Sequence, residues 1–122
     1  MNPISVSFGE GDYKITGIAV ACGEDMNLSF IGGTKPHIGA VSLALYEPIR
    51  NSATVSTIAV YTHRDGELSA KSAKEIATAF KCTTVVSVGI HVDHATIEEL
   101  DILIKNFKRC CEKIIEKLAN DR

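Results

Sequence analysis

The sequence predicts an α+β fold: a mostly antiparallel sheet of about six strands with two helices on one face, in the order β-β-β-β-β-α-β-α. Three observations predict it. From Ile4 to Thr62 apolar residues recur mainly with period two, broken by turn residues. Apolar residues at helical spacing begin only after that point. Both helical stretches therefore come late, which disfavours a sheet built from alternating βαβ units.

Each element has its own signal. Ile4, Val6 and Phe8 alternate with small or polar residues, and Gly9–Glu10–Gly11–Asp12 supplies a turn. Tyr13 to Cys22 is β-branched and small, a second strand, followed by the turn Gly23–Glu24–Asp25. Asn27 to Ile31, Gly39 to Tyr46 and Thr54 to Thr62 give the third, fourth and fifth strands. These five are expected to run as an antiparallel meander. Leu68, Ala73, Ile76, Ala77 and Phe80 then mark a helix, with Ser69 or Ser72 available to cap it and Glu75 three residues beyond Ser72. Cys82 to Val92 is a strongly β-prone strand. Thr96 and Glu99 form a T-x-x-E capping box for a long last helix. Its apolar stripe is Leu100, Leu103, Phe107, Cys110, Ile114 and Leu118. Lys105, Lys108, Arg109, Lys113 and Lys117 dress the remainder, which reads as a solvated face before an anion-binding one.

Strand faces follow from alternation. In the last strand Val86, Val88, Ile90 and Val92 share one side and should meet the helices. Ser87, Gly89, His91 and Asp93 share the other. Gly17, Ala19 and Ala21, with Ser42, Ala44 and Tyr46, are assigned to that second face, which is poor in Lys and Glu. A second sheet packing there is expected, and another copy of the chain is its simplest source, so a homodimer is expected.

Composition narrows the function classes. At 122 residues the chain is expected to form a single domain, 1–122. It is 45% hydrophobic and 23% charged, ordinary for a globular protein. A net charge of -2, no Trp and 6% aromatics argue against a nucleic-acid binder. No signal peptide and no membrane-length apolar run is visible. Cys22, Cys82, Cys110 and Cys111 form no C-x-x-C pair, so reduced, buried thiols in a cytoplasmic protein are expected, without a metal site.

Two features carry possible chemistry. Ile31–Gly32–Gly33–Thr34–Lys35–Pro36–His37–Ile38–Gly39 concentrates glycine between two strands. Its amides, the Thr34 hydroxyl and the Lys35 ammonium would suit a phosphate or carboxylate. On composition alone a simple hairpin loop is the better reading, since no helix follows at once. The histidines His37, His63, His91 and His94 are the second feature, three of them at strand ends or loops. They can exchange protons or hydrogen-bond a heteroaromatic ligand; their spacing matches no compact metal motif. No G-x-S-x-G, Walker or H-E-x-x-H sequence is present.

Three blocks resemble a known family. Gly32–Gly33–Thr34–Lys35–Pro36–His37–Ile38–Gly39 resembles the G-G-T-x-P-H-I-G segment of the small D-type subunit that accompanies gallate decarboxylases. His63–Arg64–Asp65, with Ser69 and Ala73–Lys74–x–Ile76, is the second block. Thr84 through Gly89–Ile90–His91–Val92 is the third. Lys35 and Asp93–His94 depart from the family's pattern. The resemblance implies a non-catalytic chaperone for reduced prenylated flavin mononucleotide (FMN), which helps load it into a UbiD-type aromatic acid decarboxylase. It also implies a fold like that of the dimeric proteasome-assembly chaperones. Carried onto this chain, it places cofactor contacts at Gly32, Gly33, Thr34, Lys35, His37, Gly39, His63, Arg64, Gly89 and His91, with Asp65 orienting His63 or capping the helix. Other readings are a small enzyme using His37 and His91 as acid and base on an organic acid, or a ligand-free assembly protein.

Overall fold

The computed structural model describes residues 2–60 and 63–121. Six strands form one sheet in the order β1-β2-β3-β6-β4-β5, with β1 at Ile4–Phe8, β2 at Ile15–Cys22, β3 at Asp25–Gly33, β4 at Ala40–Glu47, β5 at Ser52–Ala59 and β6 at Thr84–His91. Helix α1 is His63–Phe80 and α2 is Ile97–Asp121. The expected α+β class, element order and mostly antiparallel sheet are all present. A short 3-10 turn at Gly11–Tyr13 takes Tyr13 out of the second strand. The end of the expected fifth strand, Thr62, lies outside the described residues.

The five-strand meander does not form. β1, β2 and β3 pair antiparallel, as do β4 and β5, but β6 inserts between the two groups. It runs parallel to β3 and antiparallel to β4. Its sequence, Thr-Val-Val-Ser-Val-Gly-Ile-His, holds no Lys, Arg, Asp or Glu and is buried or half-buried from Thr84 to Ile90, which suits a central strand paired along both edges.

Helix α1 starts earlier than its serines suggest. Ser69 and Ser72 lie inside it, and their hydroxyls donate back to the carbonyls of Gly66 (3.1 Å) and Leu68 (2.7 Å). Mid-helix serines satisfy themselves this way without ending the helix. The expected capping box of α2 is present: the Glu99 amide donates to Thr96 Oγ1 at 3.1 Å, and the Thr96 amide donates to Glu99 Oε1 at 3.0 Å.

Both helices cover one face of the sheet, α1 over β4, β5 and β6, and α2 over β1 and β2. Phe30, Ile15, Ile76, Ile114, Leu118, Val86 and Val88 are fully buried between the layers. Phe30 meets Phe107 edge-on, ring centroids 5.0 Å apart. Buried Ser42 bonds Ser69 at 2.8 Å, which ties α1 to β4 through hydroxyls.

The face assignment of the small residues is reversed. Ala19, Ser42 and Ala44 are completely buried, and a Cβ on Gly17 would strike Phe30 and Cys110. These residues face the helices, because a small side chain in each strand admits a closely packed helix. The open face carries Ile18, Val20, Leu43, Leu45 and Ile58, all exposed, interspersed with Ser29 and Ser87. Pairing rows such as Ser5–Ile18–Ser29–Ser87–Val41–Ile58 hold no charged side chain. Among the cysteines, Cys82, Cys110 and Cys111 are buried but Cys22 is exposed at the end of β2. Burial pushes the Cys110 thiol up to about 11 and raises Cys111 further.

Candidate functional site

The parallel pairing of β3 and β6 brings the C-terminal ends of both strands to one edge, beside the start of β4. The first turn of α1 reaches the same edge. Three segments meet there: residues 34–39, the start of α1, and the turn after His91. The carboxyl ends of parallel strands are a common position for ligand sites.

Glycines allow the segments to touch. Gly33 has φ 88° and lies against the His91 carbonyl, where a Cβ would collide with backbone. Gly39 abuts the Asp65 carboxyl, and Gly89 lies under the His37 carbonyl. Hydrogen bonds fix the crossing. The amides of Thr34 and Lys35 both donate to the His91 carbonyl, at 2.8 and 3.3 Å. The Gly39 amide donates to Val88 O at 2.9 Å. The Thr34 amide, one of those expected to face an anion, is thus bonded to a backbone carbonyl, as is that of Lys35. Gly32 sits within β3 and packs against Ile15 and the Lys14 carbonyl, away from the cleft.

Side chains, rather than amides, line the resulting cleft of ≈ 450 Å³: Lys35, Pro36 and His37 from one segment, Arg64 and Asp65 from the helix, Ile90, His91 and Asp93 from the last strand and its turn. Of the residues expected at the site, Lys35, His37, Arg64 and His91 converge here. Thr34 sits behind them, its hydroxyl 3.3 Å from the His91 carbonyl. Gly33, Gly39 and Gly89 serve the crossing. The side chain of His63 lies outside the described residues.

The electrostatics are set by two carboxylates. Asp65 is buried in the first turn of α1, with Oδ2 3.6 Å from His37 Nε2. His37 Nδ1 donates to the Lys35 carbonyl at 3.1 Å, which directs the other ring nitrogen at Asp65. Asp65 therefore faces His37; the expected pairing with His63 falls on a side chain outside the described residues. Burial raises the Asp65 pKa, opposed by His37, a backbone hydrogen bond with Ile90, and Arg64. Asp93 is held in the opposite sense, its pKa lowered by hydrogen bonds from His91 (2.9 Å) and Lys35 (3.1 Å). The His37 and His91 rings stand edge to face, centroids 6.2 Å apart. Pro36 and Ile90 supply apolar surface beside these polar groups. Sequence reasoning missed Asp93, although it lies two residues beyond His91 and so on the same side of the chain.

Residues 9–119 match the prenylated flavin chaperone LpdD-like domain. The chain belongs to this family. The LpdD-like match spans nearly the whole chain and extends beyond the three sequence blocks at both ends. Protein LpdD of Lactiplantibacillus plantarum is 26% identical over 87 residues, 71% of this chain and 64% of that protein. The chain thus matches less than two-thirds of that relative's length. In fold it is similar to a chain of a chaperone complex for yeast 20S proteasome assembly, with a TM-score of 0.69, 13% identity, and coverage of 98% and 95% of the two chains. The expected proteasome-assembly-chaperone-like architecture is therefore present. Membership of an LpdD-like chaperone family supports an accessory, non-catalytic protein. Among the described residues no helix is long and apolar enough to cross a membrane.

Proposed function

We propose that this protein is a carrier of reduced prenylated FMN, which it holds in the cleft between His37 and His91 and passes to a UbiD-type aromatic acid decarboxylase in the cytoplasm. The observation that carries the reading is the family match over residues 9–119. The cleft fits the group in kind. Lys35 and Arg64 offer cations for a phosphate, and the Arg fork suits it geometrically. His37 and His91 offer ring nitrogens for polar edges of a flavin. Pro36 and Ile90 offer a surface for its flat ring or prenyl carbons. The volume lies within the roughly 300–1,000 Å³ usual for ligand pockets. The bound group would supply the decarboxylase's chemistry; this chain's residues bind, orient and release it.

We place the carrier in a homodimer joined through the open sheet face. Exposed Ile18, Val20, Leu43, Leu45 and Ile58 on a face whose middle rows hold no charged side chain favour a second sheet against it. Anaerobic calorimetry with purified protein and reduced prenylated FMN tests the carrier reading. Binding at micromolar protein, followed by activation of a cofactor-free decarboxylase, is expected. No binding at that concentration overturns it.

A further inference from the structure

The cations of the cleft are unequally committed. Lys35 Nζ lies 3.1 Å from Asp93 Oδ2, and the other oxygen of the same carboxylate lies 2.9 Å from His91 Nε2. One carboxylate thus joins an ammonium to an imidazole across the mouth of the cleft. Its backbone is tied to the same place, because the Asp93 amide donates to Thr34 Oγ1 at 3.4 Å. Lys35 and Asp93 are 69% and 48% exposed in their side chains, so the bridge is reachable by water and contributes little net stability. Arg64 lines the cleft from the other side, in the first turn of α1.

A carboxylate between an ammonium and an imidazole N–H makes the contacts a phosphate oxygen would make there. A phosphate monoester carries up to two charges and three acceptor oxygens, against one charge and two oxygens on Asp93. It is the stronger partner for the same two donors. We propose that Asp93 is a tethered anion that occupies the phosphate position of the cleft and competes with the ligand's phosphate for Lys35 and His91. Capture is then an exchange of one anion for another, and release is assisted by the carboxylate returning. The device moderates the affinity for a phosphorylated flavin and leaves that for its dephosphorylated form untouched, since a neutral ligand does not have to displace Asp93. Only the identity of the ligand rests on the carrier reading; the competition itself is a property of Lys35, His91 and Asp93.

Inorganic phosphate, FMN and riboflavin are the probes, titrated by NMR against wild-type protein, Asp93→Asn and Lys35→Gln. Asp93→Asn keeps the side-chain shape at an exposed position. It is expected to bind phosphate and FMN about 5- to 10-fold more tightly, from removal of one like charge at contact range in a watery site. Riboflavin affinity should stay the same, and Lys35→Gln should weaken phosphate. Equal or weaker phosphate binding by Asp93→Asn overturns the inference. A parallel titration with reduced prenylated FMN separates the two readings. If it binds wild type and Asp93→Asn equally well, the carrier reading stands and the competition falls. If it binds neither form while phosphate tightens in the variant, the competition stands and the carrier reading falls.

Discussion

The Cα of Gly89 lies directly beneath the backbone carbonyl of His37, with no room between them for a side-chain carbon. The obstacle is main chain, which cannot rotate aside as a side chain would. Gly89→Ala is therefore expected to lift the 34–39 segment off β6, carrying His37 away from Asp65. The cost should be about 2 kcal/mol or more, at the upper end of overpacking effects. Urea unfolding checks the energy. Loss of the His37–Asp65 contact, followed by imidazole NMR, checks the geometry.

Asp65 gives a pH signature of unusual sign. Burial raises its pKa in the folded protein, so between the ordinary aspartate value and the raised one the folded state binds more proton than the unfolded. Stability contributed by this group is present at low pH and lost as pH rises through that window. Asp65→Asn should abolish the fall. Subtracting urea-derived stabilities of variant and wild type across pH 3–7 isolates the effect. The subtraction matters because Asp93 and Glu99, with lowered pKa values, contribute in the opposite direction over neighbouring pH.

The α2 capping box should be worth about 1 kcal/mol. Thr96→Ala removes the oxygen that accepts from the Glu99 amide and is expected to cost that much. Glu99→Ala should cost additional stability because Glu99 accepts both from the Thr96 amide and from the Tyr13 hydroxyl, the latter at 2.6 Å, fastening α2 to the turn before β2. Equal effects of the two changes would show that the tyrosine contact contributes nothing.

The open face makes a separate prediction. Leu43 lies at its centre, on β4 opposite Val85 of β6, and is exposed in the isolated chain. Leu43→Lys should leave the unfolding free energy of the monomer within about 0.5 kcal/mol, as for an ordinary surface change. It should lower the sedimentation coefficient from that of a dimer to that of a monomer. An unchanged coefficient removes this face from the interface.

Much of the fold was legible in the sequence because period and capping are local signals. Thr96 and Glu99 announced α2 three residues apart, and Ile4, Val6 and Phe8 announced β1 by alternation. The position of β6 was less legible. Nothing local in Thr84–His91 says which strands it joins; that follows from the edges of β3 and β4, both of which its backbone pairs. Parity along β2 and β4 placed Gly17 with Ala19 and Ser42 with Ala44 correctly as sets, but parity alone does not say which set meets the helices. The site was legible as residue types and not as contacts. Lys35, His37, Arg64 and His91 were each visible, whereas the Asp65–His37 and Asp93–Lys35 pairs join residues 28 and 58 positions apart and exist only after the chain has folded.

The threading of β6 between β3 and β4 also orders events in time. Both neighbours leave the ribosome before it, and no ladder joins their two hairpin groups until residues 84–91 arrive. The cleft is stitched across that last seam, Thr34 to His91 on one side and Gly39 to Val88 on the other. A nascent chain thus has no cleft before its central strand is in place, which ties the existence of the site to the completion of folding.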